Sequence, residues 1–239
     1  NGFTYDETYL AICRVYADMR RLGQKTPQIA FITHSSSDRV VQKLSQSFYA
    51  KGLHSGLWCQ WKGKPLLLAA SKGLSESALN FFTLRESWAW TKGQKWFGDG
   101  LDKWPWLDHT PQTPGWHESP PSPEQICVCV AEQPVSNIGR SFHDGHQPPS
   151  GQTAPERGLY FTEQWQRALQ VNPEFVFVTG WNEWVAQRFV SEKGGQRVLG
   201  ERRPPGGTCF VDQDNQEFSR DVEPMKGGYG DNYYYQFVS

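Results

Sequence analysis

The chain has 239 residues and a formal net charge of −1, a length that suits one domain, since α/β barrels run to about 250 residues as a single unit. The near-balanced charge offers no basic face to nucleic acid and no polybasic patch to a membrane surface, and no run approaches the ~20 apolar residues of a membrane span. No signal-peptide pattern is visible, and the sequence leaves the compartment and the oligomeric state open.

Thr4 followed three residues later by Glu7 reads as a capping box, so a helix is predicted almost at the start. Tyr9, Ile12, Cys13, Tyr16 and Met19 give it one apolar face, and Gly23 closes it. Pro27 precedes a short buried strand over 28–33. Val40, Val41, Leu44 and Phe48 recur at helical spacing within 38–51. The turn Gly63-Lys64-Pro65 leads into the apolar strand Leu66-Leu67-Leu68-Ala69. A brief helix near 75–79 leads to a strand at Phe81-Phe82-Thr83-Leu84. Residues 103–124 then carry six prolines with Trp104, Trp106 and Trp116, and are read as irregular. Ile126–Val130 is the next strand, and 135–157 is a second irregular region. Phe161, Trp165, Ala168 and Leu169 mark a helix ending before Pro173. Phe175-Val176-Phe177-Val178-Thr179 is the last strand, and a helix over 233–239 runs to the end of the chain.

Short, continuously apolar strands alternating with helices indicate a parallel sheet covered on both faces. Five such strands are counted, and a closed (β/α)8 TIM barrel needs eight. The expectation is therefore one α/β domain over 1–239, a barrel whose N-terminal strands are missing and a fragment of a longer protein. Cys13, Cys59, Cys127, Cys129 and Cys209 are odd in number and fit no zinc spacing. Cys127 and Cys129 share one face of a strand and are expected in the core. No metal and no cofactor is expected.

The aromatic load is unusual, with 11 Trp, 14 Phe and 9 Tyr. Indoles stack on the apolar faces of sugar rings and keep a donor for polar partners, so Trp in loops points to a carbohydrate groove. The segment that carries most chemistry is Gly180-Trp181-Asn182-Glu183-Trp184, reached directly from the last strand. Barrels place catalysis at the C-terminal ends of their strands. A carboxylate held between two indoles would be partly desolvated, which suits Glu183 to general acid work, with Asn182 donating to a sugar hydroxyl or orienting the carboxylate and Trp181 and Trp184 at the wall.

Trp-Asn-Glu-Trp after a Val-Phe-Val-Thr strand resembles the family 99 glycoside hydrolases and the related WbsX-like proteins of polysaccharide loci. Gly63-Lys64-Pro65-Leu66-Leu67-Leu68, Arg220-Asp221-Val222-Glu223-Pro224 and Asp231-Asn232-Tyr233-Tyr234 look like further pieces of that pattern. The resemblance spans most of the chain and implies a (β/α)8 barrel acting on complex glycans. It departs at Ala186, where family 99 endo-mannosidases carry a second Glu three positions after the first. That pair and its mechanism are not carried over.

Glycoside hydrolysis usually needs two carboxyl groups across the scissile bond. Glu86, at a strand end beside Trp88, is the first choice for the partner of Glu183; a surface contact with Arg85 is the alternative. Glu132, after Cys129-Val130-Ala131, is the second choice. Asp212 and Asp214 bind sugar hydroxyls or a cation, or form a polar turn, the turn being the favoured reading. His34 follows a strand and could hydrogen-bond a substrate or transfer a proton. Trp58 and Trp61 make either a sugar platform or core packing. His143 and His146 share a loop and resemble a metal site only loosely. Three functions compete: a glycoside hydrolase acting on an oligosaccharide or polysaccharide, a non-catalytic carbohydrate-binding barrel, and a polysaccharide-locus glycosyltransferase-like protein. No Gly-rich phosphate loop supports the third.

Overall fold

The computed structural model describes residues 4–119, 122–132, 138–186, 188–195, 197–199 and 201–239. The chain start and the beginning of the second irregular region, at Val135, lie outside the described residues. The chain divides into two compact units, residues 1–88 with 102–104, and residues 89–101 with 105–239. No helix among the described residues is long and apolar enough to cross a membrane.

In the first unit the elements run α1 (Asp6–Arg21), β1 (Phe31–Ile32), α2 (Ser37–Leu44), β2 (Gln60–Trp61), β3 (Lys64–Leu68), α3 (Glu76–Phe81) and β4 (Thr83–Arg85). β3 is the central strand. It pairs in parallel with β1 through Phe31↔Leu67 and Ile32↔Leu68, and with β4 through Leu66↔Thr83, Leu67↔Leu84 and Leu68↔Arg85. A strand paired on both edges and covered on both faces must be apolar throughout, and Pro65 to Leu68 are all buried. β2 pairs antiparallel with the start of β3 across the Lys62-Gly63 turn. The core joins Cys13 of α1, Val41 and Leu44 of α2, and Leu67 to Phe48, Tyr49, Trp58 and Phe82. Phe31, Phe48, Tyr49 and Phe82 meet edge-to-face, the arrangement aromatic quadrupoles favour.

Local signals were partly misassigned. The hydroxyl of Thr4 donates to the Asp6 carboxylate at 2.6 Å and caps no backbone N–H; Tyr5, in the left-handed region, occupies the N-cap position. α2 ends at Leu44, and a π-helical turn carries the chain to Tyr49. Phe81 closes α3, which is capped by the Ser75 hydroxyl accepting from Ala78 N, so β4 starts only at Thr83.

In the second unit come β5 (Gln125–Cys129), α4 (Leu159–Val171), β6 (Phe175–Thr179), β7 (Arg188–Ser191), β8 (Arg197–Val198), β9 (Glu201–Arg202), β10 (Gly207–Phe210), α5 (Val211–Asp214) and α6 (Asn232–Val238). β5 and β6 pair in parallel, in register from Gln125↔Phe175 to Cys129↔Thr179. Phe161 and Ala168 of α4 and Tyr233 of α6 cover Ile126, Val128 and Val130. Cys127 and Cys129 are fully buried and form no disulfide, and burial pushes both thiols well above the usual range. β7 and β10 form an antiparallel pair, as do β8 and β9; none of these four was anticipated. Among the described residues no sheet exceeds four strands and none closes on itself. The five strands read from the sequence are all present, and every pairing among them is parallel.

The irregular stretch after Trp104 is anchored by glutamines. Gln125 Nε2 donates to Pro105 O at 2.8 Å, and Gln112 Nε2 donates to Cys127 O at 2.9 Å. Gln164 Oε1 accepts from Cys129 N at 3.2 Å, while its Nε2 donates to Asp108 O at 3.1 Å. Two of these bonds satisfy the β5 backbone groups Cys127 O and Cys129 N, and the other two hold the Pro105 and Asp108 carbonyls of the irregular stretch, as a buried backbone requires.

Candidate functional site

Parallel pairing brings the strand ends of the first unit to one side. Ile32 leads through Thr33 to His34, and Arg85 leads to Glu86. The imidazole of His34 stacks on the indole of Trp88, centroids 3.4 Å apart and planes 10° from parallel. Burial against that ring lowers the His34 pKa, opposed by the Glu86 charge. Glu86 is half-buried and forms an ion pair with Lys103; its backbone is held on both sides, Glu86 N by Asp102 O at 2.9 Å and Glu86 O by Trp104 N at 2.8 Å. Arg85 pairs instead with Asp102 at 3.2 Å and lies over the Trp61 ring at 4.9 Å. Trp61 also packs on Trp104, centroids 5.3 Å apart, and remains half-buried. Trp58 is corrected to a core residue: it is 8% exposed, wedged against Phe48 and Tyr49, and its Nε1 is spent on Leu53 O at 2.9 Å, so it offers no face to a sugar.

In the second unit the end of β6 runs into Gly180, whose φ of +83° turns the chain. Residues 220–223 lie alongside: Val222 N donates to Gly180 O at 2.8 Å and Glu223 N to Trp181 O at 3.0 Å. This clamp presents Trp181, Asn182 and Glu183 to solvent, with Trp181 46% exposed. Asp221 Oδ1 accepts from Glu183 N at 2.9 Å, and Glu223 Oε2 accepts from Trp184 Nε1 at 2.7 Å, bracing the segment from behind. The expected desolvation of Glu183 between two indoles does not occur: the residue is exposed, because Trp184 is turned towards Glu223. Asp212 is also corrected. It is 2% exposed and gives its carboxylate to Arg220 in a two-pronged pair, Oδ1 from Nε at 3.1 Å and Oδ2 from Nη2 at 2.7 Å, so it positions a loop and cannot reach a sugar. Asp214 is likewise taken by Arg203.

Glu132 has no exposed surface. It follows the buried Val130-Ala131 at the end of β5, on the side where β6 delivers Glu183. Its Oε1 accepts from Tyr160 Oη, and its Oε2 lies 2.6 Å from His109 Nδ1. His109, half exposed, stacks on Trp90 with centroids 4.3 Å apart. The Glu132 hydrogen bond raises the His109 pKa, against some desolvation. The stabilisation from this pair is therefore fully present below the unfolded value near pH 6.5 and is lost as pH rises through the folded one. The direct substrate contact expected of Glu132 is corrected: the carboxylate is fully buried and is held by Tyr160 and His109. His109, Tyr160 and Asp221 were not singled out for chemistry in the sequence. The available signal was the density of aromatic and charged residues in 103–109, but nothing local pairs His109 with a residue 23 positions away.

Asp221 carries a testable charge. It is 1% exposed, its Oδ2 has no hydrogen-bond partner among the described residues, and burial lifts its pKa to about 6. The folded state then holds a proton that the unfolded state has released, so stability falls as pH rises from about 4 to about 6 and stays reduced above. Asp221→Asn keeps an acceptor for Glu183 N and removes the buried charge. It should stabilise the protein by roughly 2–3 kcal/mol at pH 7 and by nothing at pH 3. Urea titrations at the two pH values check this, and an equal effect at both would show that the carboxyl does not titrate as stated.

His143 and His146 pair through their backbones, and His143 Nδ1 is 2.8 Å from Ser141 O. Among the described residues no group of three or more His, Cys, Asp or Glu is arranged to hold a metal ion. Comparison with protein-family models, with curated proteins and with solved structures finds no match to this chain.

Proposed function

We propose that the chain is the (β/α)-barrel catalytic part of a glycan-processing enzyme, a glycoside hydrolase of the family 99-like kind, in which Glu183 is the carboxyl group that meets the substrate. The observation that carries this reading is the presentation of Glu183. It is exposed at the end of a parallel strand, flanked by the exposed indole of Trp181, and its backbone is pinned by a buried carboxyl that takes no part in solvent contact. Evolved sites hold reacting groups in this way, on rigid elements supported from behind.

A non-catalytic carbohydrate-binding role is the second reading. It is favoured by Ala186 in place of a paired acid and by the sequestration of Glu132 and Asp212. A panel of polysaccharides separates the two. Glu183→Gln preserves shape and removes the ionisable group, so hydrolysis should fall by about 10²–10⁴-fold while retention on the same glycan is unchanged. Wild-type protein that binds a panel member and cleaves none supports the binding role. Undiminished cleavage by the Gln variant removes Glu183 from the chemistry.

A further inference from the structure

We infer that His109 and Glu132 form a proton-transfer dyad, with His109 Nε2 as the group that exchanges protons with a hydroxyl-bearing ligand and Glu132 as the residue that positions it. The geometry is that of a histidine held from behind. Glu132 is fully buried at the end of β5 and is fixed by the phenol of Tyr160, which Gln164 Nε2 in turn contacts at 2.9 Å. Burial keeps the Tyr160 phenol protonated, so it donates to one carboxyl oxygen and leaves the other for the imidazole. A carboxylate only accepts, so the proton of the neutral ring sits on Nδ1, at the 2.6 Å contact. Nε2 is left as the lone-pair nitrogen and makes no hydrogen bond among the described residues, on a side chain half open to solvent. Trp90 stacks on one ring face and restricts its rotation.

The charged groups around the ring are Glu132 and Asp108. Asp108 is 3% exposed and is occupied by Thr91, whose hydroxyl donates to Oδ2 at 2.6 Å, and by Thr113 N at 2.9 Å. Two carboxyl groups beside one imidazole make the site a poor anion trap. They suit a neutral ligand whose proton is taken up, with the resulting imidazolium held by Glu132. This is the same division of labour as in histidine–carboxylate pairs of hydrolases generally.

The inference deepens the hydrolase reading and rests on it only for the identity of the ligand. In that reading Nε2 takes a proton from water as its oxygen bonds to the anomeric carbon. The bond from that carbon to the leaving sugar oxygen breaks, and Glu183 supplies the proton that oxygen needs. The dyad then performs the work for which the chain lacks a second Glu after Glu183.

Nitrogen-15 NMR of the full chain tests the dyad without any substrate. Neutral His109 should be the Nδ1–H tautomer and should titrate above 6.5. Glu132→Gln should lower the midpoint and mix the tautomers, with a thermal melt confirming that the variant folds. Residue-resolved carbethoxylation by diethyl pyrocarbonate above that midpoint should be faster at His109 than at the exposed His143, and should slow in Glu132→Gln. An Nε2–H tautomer, or a titration indifferent to Glu132→Gln, overturns the proposal. The exposed position makes His109→Gln a safe second variant. On any glycan the wild type cleaves, it should lose about 10²–10⁴-fold in kcat, and Glu132→Gln should move the acidic limb of the pH–rate profile down. Full activity in His109→Gln alongside loss in Glu183→Gln would sink the dyad and leave the hydrolase reading standing. A chain that cleaves nothing but shows the predicted tautomer and reactivity would do the reverse.

Discussion

Replacing Gly180 with alanine should destabilise the protein by about 3 kcal/mol or more, one of the two largest effects expected of a single substitution here. Two terms add. The residue has φ +83°, where an L side chain is strained by roughly 1–3 kcal/mol. A Cβ built there would lie 2.1 Å from the carbonyl oxygen of Arg220, a backbone atom that no rotamer change can remove. The two segments must therefore separate, breaking the bonds from Val222 N to Gly180 O and from Glu223 N to Trp181 O, at about 1 kcal/mol each. Gly23→Ala is the control: it has φ +79° and nothing within 4 Å of its Cβ, so it should cost only about 1–2 kcal/mol. Thermal melts of the two variants give the comparison, and equal losses would mean that the close approach to Arg220 is not what requires glycine. The substitution should also disturb Glu183, which is three residues on and shares the clamp.

That clamp marks how far the sequence could be read. β3 and β5 are buried along nearly their whole length, and β6 is a half-buried apolar run; such runs are visible without a partner, as are the shorter β1 and β4 from the apolar residues around them. The tip carrying Glu183 was legible for the same reason, as a polar aromatic segment directly after such a run. β7 and β10 were not legible. Their burial is uneven, from exposed Arg188 to buried Ser191, and short antiparallel strands of that kind carry no clear period. Capping at Thr4 failed because a hydroxyl within reach of a carboxylate two residues away bonds to it in preference to a backbone N–H. The dyad was half legible: Glu132 stands out at a strand end, but His109 sits in a proline-rich stretch whose course depends on Gln112, Gln125 and Gln164. Side-chain amides satisfying unpaired strand edges leave no periodic trace. The roles expected of Trp58 and Asp212 failed on burial, since a sequence shows that an indole or a carboxylate is near a strand end but not which way it faces.

Arg140→Met should cost about 3–5 kcal/mol, because this guanidinium joins three stretches of the second unit. Arg140 has no exposed surface. Its Nε donates to Ser219 O at 2.9 Å, and its Nη2 donates to Asp221 O and, at 3.3 Å, to Tyr229 Oη. The charge lies 4.2 Å from the ring centre of Tyr229 and 4.3 Å from that of Tyr233 in α6. Methionine fills much of the volume of the aliphatic stem, so the loss isolates the polar head. The Ser219 carbonyl would lose its Arg140 donor and the Asp221 carbonyl would keep only the long bond from Tyr229 Oη at 3.4 Å, together about 2–3 kcal/mol, and the lost cation–π contacts would add about 1–2 kcal/mol. Arg140→Lys should recover little, since an ammonium is a point charge and cannot span the Ser219 and Asp221 carbonyls as the planar fork does. The consequence reaches the candidate site through Asp221, whose backbone Arg140 holds and whose side chain holds Glu183 N. Amide exchange at Glu183 should therefore quicken in Arg140→Met by more than at residues of β5, measured under conditions where both proteins remain folded. Unchanged exchange at Glu183, with the global stability lowered as stated, would show that Arg140 supports the fold but not the tip that carries the catalytic candidate.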